Sequence, residues 1–351
     1  MLKKTIALTW GSTWGHIFPL ISLYNYLNDS DHYDFLWFWE KWNLEEEIAS
    51  NSNINFYDIS SWKIRRYFDI RNFFEPLKNL TWIIESLFYI NKYNIDIVFS
   101  KGWYVSLPMA IWAKIMRKKL FIHESDTVSW ISNKLVSKMA DKVFYSFDND
   151  KVNNSKHIYS GQILNPELLD SITDLNFVEN KRQKVLVMWW SQGSKSIFEN
   201  LLWVLWNLDF LDFEIVLWDK NLWFKEEFSK FPNVTTHDFV SQSELWNIYI
   251  NTDIALTRAW ATSLFEQNVF WIHSIIIPLS SSAWNHQEEN AIYFKEKFES
   301  DILKEDDHLA SNIQNKLTKY RNLRKAWLNL DKFYNPLKII EANIKKNIYK
   351  K

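Results

Sequence analysis

TIALT, residues 5–9, is a short apolar run, and after one loop HIFPLISLYNYLN, residues 16–28, carries apolar residues at helical spacing. The alternation continues through YDFLWF (33–38), INFYDI (54–59), IDIVFS (95–100), VSLPMAIWAKIMR (105–117), KLFIHE (119–124) and DKVFYSF (141–147). Brief continuous apolar runs read as strands covered on both faces, and the longer amphipathic runs read as the covering helices. Strands that alternate with helices must be parallel, because each helix carries the chain back to the edge it started from. The rhythm breaks near SGQILNPELLDS (160–171) and passes through the polar LNFVENKRQ (175–183). It restarts with KVLVM (184–188), FEIVLWD (213–219), VTTHDFV (234–240), DIALTRA (253–259) and SIIIPL (274–279). The expectation is an α/β chain of two Rossmann-like parallel-sheet domains, 1–163 and 164–334, facing across a cleft at strand carboxyl ends. NPLKIIEANIKKNIY predicts an amphipathic C-terminal helix, about 335–351, that packs back on the first domain.

The turns of such a fold need glycine, and the chain nearly lacks it. There are 5 glycines and 21 tryptophans. At ordinary usage a chain of this length carries about 25 glycines, close to the two counts together. The tryptophans also stand where glycine belongs. Trp10 and Trp14 flank Gly11 and Gly15 after the first strand, Trp103 follows Gly102, and Trp189 and Trp190 follow KVLVM. Trp260 opens a helix, and Trp284 lies in the polar loop SSSAWNHQ. Trp39, Trp42, Trp62, Trp112, Trp130, Trp218 and Trp271 also occupy turn or small-residue sites. The expectation is a gene whose UGA codons specify glycine, read here as tryptophan. Trp37, Trp82, Trp203, Trp206, Trp223, Trp246 and Trp327 have no such assignment. Taken literally, the side chains at 14, 103, 189, 190 and 260 would fill the loops they sit in and abolish ligand binding. The alternative is genuine tryptophans forming a stacking surface for carbohydrate or bases.

Bulk properties exclude several classes. The formal net charge of −1 gives no general attraction to nucleic acid. No cysteine means no disulfide framework and no thiolate chemistry. MLKKTIALTW has too short an apolar run for a signal peptide, and no window is long enough to span a membrane. One stretch stands apart: in KIRRYFDIRNFFEPLKNLTWIIESLFYI, residues 63–90, Arg65, Arg66 and Arg71 are interleaved with Tyr67, Phe68, Phe73, Phe74 and Leu77. It reads either as an ordinary helix with a solvated basic face or as a surface that dips aromatic groups into lipid while cations meet anionic headgroups. Lys114, Arg117, Lys118 and Lys119 in WAKIMRKK would extend the same rim.

With glycine restored, six ordered blocks resemble the MurG family of UDP-N-acetylglucosamine-dependent transferases. They are TWGSTWGHIFP, SKGWYVSLPMAIWAK, HESDTVSWISNK, VMWWSQGS, LTRAWATSLFE and PLSSSAWNHQEENA, covering about residues 5–292. The resemblance implies a GT-B fold with the active site between two domains. It implies an inverting transfer of GlcNAc from UDP-GlcNAc to the C4 hydroxyl of MurNAc in lipid I, on the cytoplasmic face of the cell membrane, to which the protein binds peripherally. It implies no cofactor and no metal. Carried over to this chain, Ser191, Gln192 and Gly193 face the UDP diphosphate, Val240 contacts uracil, and Glu266 holds the ribose hydroxyls. His286 and Gln287 reach the GlcNAc hydroxyls with Asn290 beside them, and Arg258 faces the diphosphate or makes a structural salt bridge. Thr13, Trp14 and Gly15, with Gly102, Trp103 and Tyr104, hold the lipid I diphosphate. His16 is the candidate general base, because imidazole accepts a proton near neutral pH, or else a helix cap or phosphate contact. Glu124 and Asp126 are the other base candidates, or caps, and His123 reads as structural.

The chain departs from the family pattern at Asn165, where many members carry arginine, and at Asp126, where others carry asparagine. Two further readings stay open. One is another GT-B enzyme acting on UDP-sugars, a glycolipid synthase or a UDP-GlcNAc 2-epimerase. The other is a non-catalytic glycan- or lipid-binding protein with genuine tryptophans.

Overall fold

The computed structural model describes residues 3–9, 14–28, 32–39, 55–58, 75–102, 106–128, 131–148, 152, 154–165, 182–189, 195–218, 221–279, 285–324 and 331–348. The chain divides into two compact units, Met1–Asn165 with Tyr334–Lys351, and Pro166–Phe333.

Unit 1 is built on seven parallel strands: β1 Lys4–Thr9, β2 Tyr33–Trp39, β3 Asn55–Asp58, β4 Ile97–Ser100, β5 Lys119–Glu124, β6 Lys142–Tyr145 and β7 His157–Tyr159. Their order is β3-β2-β1-β4-β5-β6-β7. The helices are α1 Trp14–Asn28, α2 Glu75–Lys92, α3 Leu107–Ile115 and α4 Ile131–Met139. The inner strands have no polar face to spare, and every residue of Ile97–Ser100 is buried. α11, Asp331–Ile348, closes this unit. Its Leu337, Ile340 and Ile344, at helical spacing, join Ile6, Leu8, Leu20 and Ile163 in one cluster. The helix begins before Pro336 rather than after it.

Unit 2 repeats the plan. Its parallel strands β8 Gln183–Met188, β9 Leu211–Val216, β10 Val234–His237, β11 Ile254–Thr257, β12 His273–Ile276 and β13 Asp301–Ile302 lie in the order β10-β9-β8-β11-β12-β13. The helices are α5 Lys195–Val204, α6 Phe224–Phe228, α7 Gln242–Asn251, α8 Ala261–Val269, α9 His286–Phe298 and α10 Leu309–Lys319. α7 starts where the sequence dictates: the Ser241 side chain accepts from Glu244 N–H and the Glu244 carboxylate accepts from Ser241 N–H, a reciprocal cap. Strands β7 and β13 were not anticipated. Both are short edges, and only Ile158 and Ile302 give them any apolar character.

Both sheets reverse direction of growth once. In unit 1 the reversal lies between β1 and β4, where Thr9 pairs with Ser100. In unit 2 it lies between β8 and β11, where Met188 pairs with Thr257. In open parallel sheets such a point leaves a crevice at the carboxyl ends, because the flanking helices depart to opposite faces.

Candidate functional site

The loops that leave these two reversal points are the ones the sequence marks as glycine-type. In unit 1, β1 leads to Trp10–Thr13 and β4 to Lys101 and Gly102. In unit 2, β8 leads to Trp189 and Trp190, and β11 leads to Arg258–Trp260.

In unit 1, Gly102 has φ +94° and its N–H donates to Ser100 Oγ at 2.9 Å. A Cβ there would meet the Asn133 side-chain amide, and the positive φ by itself favours glycine. Asn133 Nδ2 donates to Glu124 Oε2 at 2.9 Å, and the Asp126 N–H donates to Glu124 Oε1 at 3.4 Å. Glu124, at the end of β5, is therefore a carboxylate held on both oxygens. His123 is buried, with Nε2 3.1 Å from Gly161 O and Nδ1 2.5 Å from Lys101 Nζ. Sequence reasoning passed over Lys101 and Asn133. The signal available for Lys101 was its place directly between an all-buried strand and a glycine.

Trp14, Gly15 and His16 form the first turn of α1, at the carboxyl end of β1, and their side chains lie outside the described residues. Thr13, Trp103, Tyr104, Ser191, Gln192, Gly193 and the stretch Arg65–Phe74 also lie outside them, as does the side chain of Leu77. Lys114, Arg117, Lys118 and Lys119 close α3 and open β5 at the amino end of the sheet; Arg65–Phe74, with which the sequence groups them, lies outside the described residues. Among the described residues no helix is long and apolar enough to cross a membrane.

In unit 2, Val240 is buried directly before the α7 cap. Asn290 Nδ2 donates to Ala259 O at 3.1 Å, and Gln287 Oε1 accepts from Leu279 N–H at 3.0 Å. α9 thus braces the loops after β11 and β12, with His286 at its first position. Arg258 is 3% exposed, and its Nη1 donates to Ile277 O at 3.0 Å and to Glu305 at 2.6 Å. Of the two roles the sequence allowed, the structural salt bridge is the one this geometry shows. Glu266 lies two turns into α8, 6% exposed, with its Oε2 3.4 Å from Tyr249 Oη. Burial pushes its pKa up to about 8, against the opposing pull of the Tyr249 hydroxyl. Tyr249 was not anticipated; it is one apolar-looking position of α7 in the sequence.

The tryptophans fall unevenly. Trp218 and Trp271 adopt φ of 58° and 55°, a left-handed conformation that glycine takes freely and bulky residues avoid. Trp189 is 2% exposed against Phe198, and its indole N–H, like that of Trp112, has no hydrogen-bond partner among the described residues. Trp37 lies in the core of unit 1, edge-on to Tyr24 at 6.1 Å, a packing role glycine cannot fill.

Comparison with known proteins gives a consistent result. Residues 6–145 match the glycosyltransferase family 28 N-terminal domain and residues 185–335 the family 28 C-terminal domain. A UDP-N-acetylglucosamine–N-acetylmuramyl-(pentapeptide) pyrophosphoryl-undecaprenol N-acetylglucosamine transferase from Clostridium botulinum is 30% identical over 94% of this chain and 93% of its own. A protein of the same name, numbered 2, from Bacillus anthracis is 28% identical over 97% and 98%. Among solved structures, MurG of Acinetobacter baumannii superposes with a TM-score of 0.76 at 19% identity, covering 98% of this chain and 99% of that one. The UDP-GlcNAc 2-epimerase of Neisseria meningitidis, solved with UDP-GlcNAc, gives 0.68 at 14% identity over 98% and 100%. At such identities the structural likenesses show the shared GT-B fold and do not choose between activities.

Proposed function

The chain belongs to glycosyltransferase family 28, among the UDP-N-acetylglucosamine–N-acetylmuramyl-(pentapeptide) pyrophosphoryl-undecaprenol N-acetylglucosamine transferases, and on that premise we propose how its residues carry the reaction. It is a UDP-GlcNAc-dependent N-acetylglucosaminyltransferase that converts lipid I to lipid II in peptidoglycan synthesis. The observation that carries the residue-level account is the coincidence of the four glycine-type loops with the two topological reversal points.

Unit 2 takes the donor. The N-termini of α5 and α8 turn the positive ends of their helix dipoles to the UDP diphosphate. Glu266 accepts from the ribose hydroxyls, Val240 contacts uracil, and His286 and Gln287 serve the GlcNAc. Ser191, Gln192 and Gly193 line the first of these loops. Arg258 is left to the fold. Unit 1 takes the acceptor, with Thr13, Trp14, Gly15, Gly102, Trp103 and Tyr104 at its diphosphate. The acceptor O4 attacks the anomeric carbon as the bond to the UDP oxygen breaks and its electron pair leaves with UDP. The O4 proton passes to His16, with Glu124 and Asp126 as the neighbouring carboxylates. A single displacement inverts the α-linked donor to a β-linked product. The undecaprenyl tail of the acceptor stays in the bilayer, and Arg65–Leu77 docks unit 1 on its anionic cytoplasmic surface.

This account requires open loops, and so glycine rather than tryptophan at the fourteen turn or small-residue positions of the native chain. The left-handed φ at Trp218 and Trp271 supports that reading. The test is a pair of proteins, the chain as written and the chain with glycine at those positions, assayed with UDP-GlcNAc and a lipid I analogue. Transfer by the glycine form alone is expected. A glycine form that binds UDP yet transfers nothing overturns the mechanism, and mass spectrometry of native peptide 185–195 showing tryptophan overturns the recoding.

A further inference from the structure

Lys101 leaves the carboxyl end of β4 next to the Gly102 turn and is 1% exposed. Its N–H donates to Thr9 O at the end of β1, 3.0 Å away. Its Nζ reaches His123 Nδ1 at 2.5 Å and donates to Ser125 Oγ. His123 Nε2 faces Gly161 O at 3.1 Å. A carbonyl only accepts, so Nε2 carries the ring proton and Nδ1 presents a lone pair to the lysine. Between His123 and Ser125 stands Glu124, tied to Asn133, which in turn packs on Gly102. One residue therefore links the carboxyl ends of β1, β4 and β5, by its backbone N–H to β1 and by its side chain to His123 and Ser125, and through His123 the residues after β7.

A lysine taken out of water is costly, and an apolar residue of the same volume would tie these strands at less expense. Burial lowers its pKa to about 7, and the carboxylates of Glu124 and Asp126 act in the other direction. The other titratable groups packed here, among the described residues, are His123 and, behind Glu124, Tyr145 of β6. The Tyr145 hydroxyl meets His157 Nδ1 at 2.9 Å. What lysine supplies and an apolar residue cannot is a positive charge facing two carboxylates, beside a turn assigned to an anionic acceptor.

Building on the transferase reading, we infer that Lys101 is a positioning residue for the acceptor: its ammonium fixes the His123 tautomer and offsets Glu124 and Asp126, so that the Gly102 turn receives a diphosphate. A lysine loses its charge as pH rises through its pKa, so acceptor affinity falls as pH climbs past about 7 while donor affinity does not.

The experiment compares wild type with Lys101→Met in the glycine form, measuring KM for the lipid I analogue and for UDP-GlcNAc across the pH range on either side of neutrality. Below the lysine's pKa, K101M is expected to raise the acceptor KM about tenfold and to make it independent of pH, with the donor KM unchanged. A lysine with a merely structural role gives a lower Tm and a lower kcat with the pH dependence of KM intact, and that result overturns the inference. The His123 ring is read separately by 15N NMR. Wild type is expected to show a neutral ring protonated at Nε2, and K101M a ring that takes up a second proton at higher pH. A wild-type ring protonated at Nδ1 also overturns it. Absence of transfer in wild type would count against the transferase account, while the NMR result still decides Lys101.

Discussion

At the end of β4, unit 1 buries a lysine against His123, Glu124 and Asp126. At the corresponding end of β11, unit 2 buries an arginine already matched by Glu305 and Ile277 O. The strand order around the two positions is the same, with the first strand of each unit beside the fourth. The chemistry is not. Unit 1 keeps a titratable cluster at its reversal point, whereas unit 2 cancels its cation internally and offers helix N-termini and one acid that burial keeps neutral. That division suits the two substrates. A nucleotide diphosphate is held by N–H groups that need no proton, while deprotonating a sugar hydroxyl needs groups that exchange protons near neutrality.

The sharpest way to break the comparison is to ask whether unit 2 has an open anion site at all. Replacing both Trp189→Gly and Trp190→Gly, with Trp260→Gly on the neighbouring loop, should raise UDP affinity at least about 1,000-fold, from a blocked site to one where the diphosphate can reach the helix N-termini. Isothermal titration with UDP checks it. Unchanged weak binding would mean that the loops after β8 and β11 are not the diphosphate site.

Glu266 tests the claim that unit 2 keeps its acid neutral until a nucleotide binds. Its pKa in the folded protein is raised to about 8 from an ordinary value of 4.5, so the folded state binds more protons than the unfolded one between these limits. Stability is then fully present below the unfolded pKa and falls as pH rises towards 8, and Glu266→Gln should remove that slope. Ribose hydroxyls donate to the carboxylate and favour its charged form, so UDP binding at neutral pH should release a proton. The same substitution should abolish that release and weaken UDP by about 10- to 100-fold. Titrations in buffers of different ionisation enthalpy measure both. Proton release that persists in the variant would assign it to another group.

How far the sequence reached differs between the units and between kinds of feature. The inner strands were legible because each is an unbroken apolar run between polar ends, and the reversal-point loops because glycine and tryptophan cluster there. β7 and β13 were not, since an edge strand of two or three residues leaves almost no hydrophobic pattern. Trp37 had no assignment from the sequence until β2 placed it in the core, and Trp218 and Trp271 acquired their strongest argument for glycine only from backbone angles. Lys101 was hidden for a physical reason: a lysine after a strand usually marks the return to solvent, and only the approach of β5 turns it into a buried charge. Arg258 was ambiguous because Glu305 lies 47 residues away and nothing local announces the pair.

The Arg258 pair offers a test of intermediate size. Arg258→Met should destabilise unit 2 by about 2 kcal/mol, below the usual cost of breaking a buried pair because Glu305 retains some access to water. UDP affinity should change little, since the guanidinium serves the fold. Chemical denaturation and UDP titration of the same variant separate the two roles. A large loss of UDP binding with stability intact would return Arg258 to the diphosphate.

The smallest expected effect bears on the tryptophans alone. Trp271 is half-exposed after α8, with φ 55°, so replacing it disturbs little packing. A bulky residue in this conformation costs about 1–2 kcal/mol, and glycine gives back part of that through the extra freedom of the unfolded chain. Trp271→Gly should therefore stabilise the protein by roughly 0.5–1 kcal/mol, a shift readable in a denaturation midpoint with unchanged slope. Trp203 supplies the matching control, because it is more exposed still but sits inside helix α5. There glycine should lower stability by a few tenths of a kcal/mol up to about 1. Opposite signs at two exposed tryptophans can come only from the backbone. Equal signs would show that exposure, rather than the left-handed turn, governs the effect, and would remove the structural support for glycine at Trp271.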